Sequence, residues 1–230
     1  MPPNKELSLH VAGTEERLAL EPVRLIVAGY TAKDEESVRA HIAELADIGV
    51  PPPATIPAFY DLDPALLTTD PVVEAGGGRT SGEVEPVVIR HRGRYFLGVG
   101  SDHTDRERER EDIGGSKAAC PKPVGDVVAD LGADLSGVDW DGLRAESFVD
   151  DRPYQKGSIA ALRHPAELIE RMSVATGVSG AADLVLYCGT LPLLGGEFVY
   201  GSHWRIRLRL PGGLALTHAY ETKTKHQGVG

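Results

Sequence analysis

Apolar and polar residues alternate with a period of two along much of this chain, a pattern that predicts strands with one buried face. Leu7, Leu9 and Val11 alternate with Ser8 and His10, a turn follows at Gly13, and residues 17–20 resume the pattern, so residues 6–20 read as a hairpin. Near the end, Trp204, Ile206, Leu208 and Leu210 alternate with Arg205, Arg207 and Arg209. Four apolar runs, at residues 23–28, 87–89, 95–99 and 184–188, predict strands buried on both faces.

Two segments carry helical spacing instead. Asp34 is placed to cap the first, Glu35 and Glu36 suit the positive end of its dipole, and Val38, Ile42 and Leu45 form its apolar stripe. Gly49 and the prolines at 51–53 stop it, and residues 49–57 are a stiff connector or the hinge of a lid. The second covers residues 164–178, with Pro165 at its start, Leu168, Ile169 and Met172 inward, and Gly177 closing it. Residues 61–82 read as loop and short strand, 130–150 as loop, and 222–230 as a disordered tail. The prediction is a β-rich α+β chain with few helices: an N-terminal hairpin extension over residues 1–22, then one domain over 23–221.

Composition narrows the possible partners. The chain has 230 residues, 41% hydrophobic and 25% charged, with 27 glycines and 16 prolines, which suits a soluble protein rich in turns. A formal charge of −10 argues against nucleic acid or an anionic membrane as partner. No apolar run approaches the roughly 20 residues of a membrane helix, and no signal pattern opens the chain. Cys120 and Cys188 lack zinc-like spacing, which points to reduced thiols and a cytoplasmic location.

Candidate chemistry concentrates between Gly82 and Lys117. Glu83 and Glu85 are two apart, so in a strand their carboxylates share a face and repel unless a cation or proton sits between them. Asp102 follows the next apolar run, and three such oxygen donors suit Mg²⁺, Mn²⁺ or Ca²⁺. A competing arrangement is His103-x-Asp105 with His203 or His218, the pattern of a non-haem iron oxygenase. On the first helix His41 and Glu44 are three apart, either a proton-transferring pair or an ordinary surface contact. The glycines at 76–78 are not followed by Gly-Lys-Ser/Thr, so a phosphate loop is excluded.

Taken in order, these motifs resemble the fumarylacetoacetate hydrolase superfamily over residues 24–210. Gly29-Tyr30 followed by His41-x-x-Glu44 is similar to that family's strand, turn and lid element. Glu83-x-Glu85 resembles its paired metal carboxylates. Residues 101–107, Ser-Asp-His-Thr-Asp-Arg-Glu, resemble its Asn-Asp-x-Ser-x-Arg-Asp segment, which makes Asp102 the third ligand and sets His103 and Asp105 aside. Ser116-Lys117 resembles the segment of the active-site lysine, while Tyr154-Gln155-x-Gly157-Ser158 and Gly189-Thr190 match later landmarks. The chain departs from the pattern at Glu109, at Pro86 and at Pro121-Lys122-Pro123. Pro86 suggests an edge strand or a bulge.

The resemblance implies a mixed β-sheet roll, usually assembled as a homodimer. It also implies a Mg²⁺ or Mn²⁺ enzyme, with Ca²⁺ as a possible substitute, acting on a small carboxylate through a metal-stabilised enolate. Hydrolytic cleavage of a C–C bond in an acylpyruvate-type acid leads; decarboxylation, hydration and tautomerisation use the same enolate. A non-catalytic metal-binding scaffold is the remaining alternative. The implied roles are Glu83, Glu85 and Asp102 on the metal, His41, Glu44 and Lys117 in catalysis, and Tyr30, Arg106, Gln155 and Thr190 on the substrate.

Overall fold

In the central strands the sequence alternation becomes two buried faces. A computed structural model describes residues 6–20, 24–47, 52–177 and 183–224. Its larger sheet runs in the order Arg17–Leu20, Leu7–Val11, Val127–Gly132, Arg94–Ser101, Val84–His91, Leu184–Tyr187, Arg24–Gly29 and Ala58–Leu62. Leu25, Val27, Val87, Ile89, Val185 and Tyr187 face one side, while Ile26, Ala28, Val84, Val88, Leu184 and Leu186 face the other. Leu18 and Leu20 from one edge strand share a core with Leu62 from the opposite edge. A sheet whose two edges meet in one core is curled on itself.

Its outer face is covered by a second sheet, ordered Arg152–Ser158, Arg144–Val149, His203–Arg209, Ala215–Thr224 and Val72–Ala75. Ala145, Ile206, Leu208 and Leu216 of this sheet pack on the first, as do Leu168 and Met172 of a helix. Each of the fully buried leucine, isoleucine and methionine side chains is worth about 1.5–3 kcal/mol, which is why the inward face of these strands is apolar. Parallel pairings at Leu184–Tyr187 with Arg24–Gly29 and at Leu7–Val11 with Val127–Gly132 make the sheet mixed. This is the expected β-rich α+β roll.

The helices are α1 (Glu35–Asp47), α2 (Ile113–Ala118) and α3 (Pro165–Thr176). Asp34 caps α1 by accepting from the Glu36 and Ser37 N–H groups at 3.1 and 3.3 Å. Gly177 ends α3 at φ +68°, a left-handed conformation that costs glycine nothing. The spacing of apolar residues did not announce α2, which has two glycines and a single turn or so of helix; its start is set by Asp112, which accepts from the Gly115 N–H at 2.9 Å.

Four expectations need correction. The N-terminal hairpin is no separate extension, because Leu7–Val11 pairs in parallel with Val127 and Val128 and fills the common core. Residues 130–150 hold the end of one strand and the whole of Arg144–Val149, whose alternation is masked by Glu146 facing Arg207. Thr222, Lys223 and Thr224 are not tail but strand, paired with Val73, Glu74 and Ala75. Pro86 lies in a central strand, without a bulge between it and Val99. Its carbonyl accepts from Cys188, just past the end of Leu184–Tyr187, so its missing N–H falls where the neighbouring strand has already stopped.

Candidate active site

The antiparallel register brings the acidic residues together. Val84 lies opposite Ser101, so Glu83 and Glu85 at the start of one strand meet Asp102 just past the end of its neighbour. The Asp102 N–H donates to the Glu83 carbonyl at 3.0 Å and fastens this corner. Glu83 precedes the strand and is partly exposed, whereas Glu85 and Asp102 are 2% and 1% exposed. The two glutamates therefore sit in different surroundings rather than as an equivalent pair on one face.

Each carboxyl group has its own partner. Glu83 pairs with Arg106 at 3.0 Å. Glu85 accepts from the Gly189 N–H at 2.8 Å. Gly189 has φ +98°, and a Cβ there would lie 1.8 Å from the Thr31 hydroxyl, so only glycine can turn its N–H onto this carboxyl. Asp102 bonds to the Lys117 ammonium and has the Lys122 ammonium 3.3 Å from its other oxygen.

Electrostatics divides the three. Burial pushes the Glu85 carboxyl well above the ordinary range, and the negative charge of Asp102 adds to this. Burial would raise Asp102 too, but Lys117 and Lys122 outweigh it and hold that group at about 2. Burial alone would lower Lys117, yet Asp102 and Glu83 raise it, so its ammonium form is secured. Lys122 is fully buried, which pulls it down, and it donates to the carbonyls of His103 at 2.6 Å and Cys120 at 3.2 Å.

Do these residues suit a divalent cation? Among the described residues, no three His, Cys, Asp or Glu side chains converge closely enough to grip an ion as they stand. Glu83 is turned to Arg106, and Lys117 takes the position of a cation against Asp102. The donor chemistry nevertheless fits. Three hard oxygen donors lie at the neighbouring ends of two paired strands, and Glu85 is buried near enough to Asp102 for that negative charge to raise the cost of ionising it, a cost that a shared cation removes.

The remaining expected residues are distributed unevenly. Tyr30 has φ +57°, strained for a bulky side chain, and senses both Glu109 and Lys117. Gln155 is not available to a substrate. Its oxygen accepts from the Val84 N–H at 2.9 Å and the Ser147 hydroxyl at 3.0 Å, and its nitrogen donates to Thr190 at 2.8 Å and the Leu191 carbonyl at 2.6 Å. Thr190 in turn donates to the Val84 carbonyl at 2.9 Å. Gln155 and Thr190 thus brace the strand between Glu83 and Glu85. Arg106 is likewise held by protein groups. The side chains of His41 and Glu44 lie outside the described residues, although the backbone of α1 that carries them is described.

His103 and Asp105 have structural duties. His103 is fully buried, bonded through one ring nitrogen to Tyr220 and through the other to Thr80, both at 3.0 Å. Asp105 accepts from the Glu107 and Arg108 N–H groups at 3.1 and 3.2 Å. Burial above all, then Lys122, depresses His103 to about 3. The unfolded chain therefore binds a proton between about pH 6.5 and 3 that the folded chain refuses, so stability falls as pH drops below about 6.5. From pH 7 to pH 5 this histidine is expected to cost about 2 kcal/mol. Urea unfolding of the protein and of His103→Asn at both pH values checks this, the variant losing that share of the pH dependence.

Sequence reasoning missed Tyr60, Lys122 and Phe198. Lys117 sits over the Tyr60 ring at 5.6 Å, and the Arg106 guanidinium lies over Phe198 at 3.9 Å. None belongs to a motif with fixed spacing; only the two prolines flanking Lys122 marked it in the sequence.

Similar architectures are known. The chain matches a fumarylpyruvate hydrolase from Pseudomonas aeruginosa, solved with Mn²⁺ and pyruvate, at 17% identity and a TM-score of 0.66, covering 98% of this chain and 99% of that one. It matches a 5-carboxymethyl-2-hydroxymuconate delta-isomerase from Mycobacterium smegmatis at 15% identity and a TM-score of 0.58, covering 92% and 87%. It also matches a 2-keto-3-deoxyarabinonate dehydratase at 14% identity and a TM-score of 0.61, covering 90% and 76%. At such identities the likeness shows the fold, which is that of the fumarylacetoacetate hydrolase superfamily. No curated protein matches the chain. Residues 28–220 match the family model described as "Protein of unknown function (DUF2848)", so the chain is a member of the DUF2848 family, built on the fumarylacetoacetate hydrolase fold.

Proposed function

We propose that this protein is a divalent-metal-dependent enzyme that acts on a 2-oxo or β-diketo acid through an enolate, most directly by hydrolytic cleavage of a C–C bond. The observation that carries this reading is the meeting of Glu83, Glu85 and Asp102 beside a buried ammonium, Lys117, at one corner of the fold. Structures of the same fold include a hydrolase bound to Mn²⁺ and pyruvate, a dehydratase and an isomerase, which supports 2-oxo acid chemistry without choosing among the outcomes.

Glu83, Glu85 and Asp102 would hold Mg²⁺ or Mn²⁺. When bound, such an ion supplies Lewis acidity to the substrate's carboxylate and oxo oxygens and stabilises the enolate charge. Lys117, kept positive by Asp102, faces the developing negative charge with no need to gain a proton. The ring of Tyr60 lies under the ammonium. Gln155 and Thr190 keep Glu83 and Glu85 in register through Val84. His41, oriented by Glu44, would activate the attacking water.

Calorimetric titration of the metal-free protein with Mn²⁺ tests the reading. Saturable binding is expected in the protein, and loss of at least 100-fold in affinity in Glu83→Ala/Glu85→Ala, alongside loss of turnover on an acylpyruvate panel. Equal binding by protein and double variant would sink the metal site. Carbon dioxide release in place of a carboxylic acid product would move the reaction to decarboxylation.

A further inference from the structure

Every N–H of Arg106 is already engaged. A guanidinium has five such donors. The Arg106 Nε donates to the Ser81 hydroxyl at 2.7 Å, one terminal nitrogen reaches both Glu109 oxygens at 3.0 and 2.9 Å, and the other reaches the Ser81 carbonyl at 3.4 Å and the Glu83 carboxylate at 3.0 Å. Phe198 covers a face of the same group at 3.9 Å. Arg106 is thus closed to a ligand, and the two carboxylates sharing it leave that trio one negative charge in excess.

The other cations at this corner are also taken. Lys117 is bonded to Asp102, and Lys122 is fully buried and donates to backbone carbonyls. Arg108 and Arg110, on either side of Glu109, are exposed, which makes them weak anchors. Glu109 itself is 25% exposed in its side chain against 3% for Arg106, so the carboxylate lies outermost. Arg106 holds Glu109 on one side and Glu83 on the other, so Glu109 stands one guanidinium away from the carboxylate corner.

We propose that Glu109 is a specificity-determining residue of this site, and that the substrate is a 2-oxo acid whose far end is uncharged rather than a second carboxylate. Resting on the 2-oxo acid reading above, the proposal adds which member of that class is taken. A carboxylate reaching Glu109 would meet a like charge, and the Arg106 nitrogen nearest to it is already bonded to both Glu109 oxygens. An alkyl or hydroxyl-bearing tail meets the ring of Phe198 over Arg106 instead.

The test compares ligands with the same head and different tails on the Mn²⁺-loaded protein, read by calorimetry: pyruvate, 2-oxohexanoate and 2-oxoglutarate. The last two are close in length, and one ends in a carboxylate. Binding of 2-oxohexanoate at least tenfold tighter than 2-oxoglutarate is expected. Glu109→Gln removes the charge and frees an Arg106 donor, so it should reduce that ratio about tenfold, whereas Glu109→Asp, which keeps the charge, should preserve most of it. A merely structural role for Glu109 would weaken both ligands together and leave the ratio where it was. Pyruvate bound with 2-oxoglutarate at least as tight as 2-oxohexanoate, or a ratio unmoved in Glu109→Gln, overturns this proposal alone. Absence of Mn²⁺-dependent pyruvate binding overturns the 2-oxo acid reading and this proposal with it.

Discussion

Asp102→Asn is expected to destabilise the protein by about 3–5 kcal/mol, the usual cost of leaving buried charges without their partner. Asp102 is 1% exposed and answers two ammonium groups, Lys117 and Lys122, which are 7% and 0% exposed. An amide keeps the shape and loses the charge, so both lysines would have to remain charged in a poor solvent or give up a proton. Because the Asp102 carboxyl is held near 2, below its unfolded value of 3.8, its contribution is complete above about pH 4 and disappears as pH falls through 2. Urea unfolding at pH 7 measures the effect. A loss below about 1 kcal/mol would mean that the lysines relax to water and that the cluster is not the closed unit described here.

Lys117→Met is expected to lower turnover by about 100- to 1000-fold, the cost of removing one preorganised charge where negative charge develops. The same variant should bind Mn²⁺ at least as well as the parent, because the ammonium that occupies Asp102 is gone. Methionine preserves much of the stem that packs over Tyr60 at 5.6 Å from the Lys117 ammonium. Single-turnover kinetics and metal titration together separate the two functions. Weakened metal binding with normal chemistry would assign Lys117 to holding the site together, not to the reaction.

How far a residue could be read from the sequence depended on how local its signal was. The Asp34 cap and the Gly177 stop were legible because each is set within one turn of helix. Glu83, Glu85 and Asp102 were legible as a group because an apolar strand on each side of a short turn brings its outer ends together. Lys122 and Phe198 were not. Lys122 is a buried cation because Asp102 and the carbonyls of His103 and Cys120 close around it, and Phe198 meets Arg106 from far along the chain. Gln155 looked like a contact for substrate, and its four hydrogen bonds to Val84, Ser147, Thr190 and Leu191 became visible only with the sheets assembled.

The sequence by itself determined the strand-rich class, two of the three α-helices among the described residues, and the placing of Glu83, Glu85 and Asp102 at neighbouring strand ends, since period and spacing act over a few residues. Only the tertiary structure decided which cation each carboxylate would face. That choice depends on burial, which raises the value of an ion pair and the cost of an unpaired charge, and burial is a property of the packed sheets. Hence Arg106, an exposed-looking member of a charged run, is closed between Glu83 and Glu109, and Lys117 from a two-glycine helix becomes the ammonium of the candidate site.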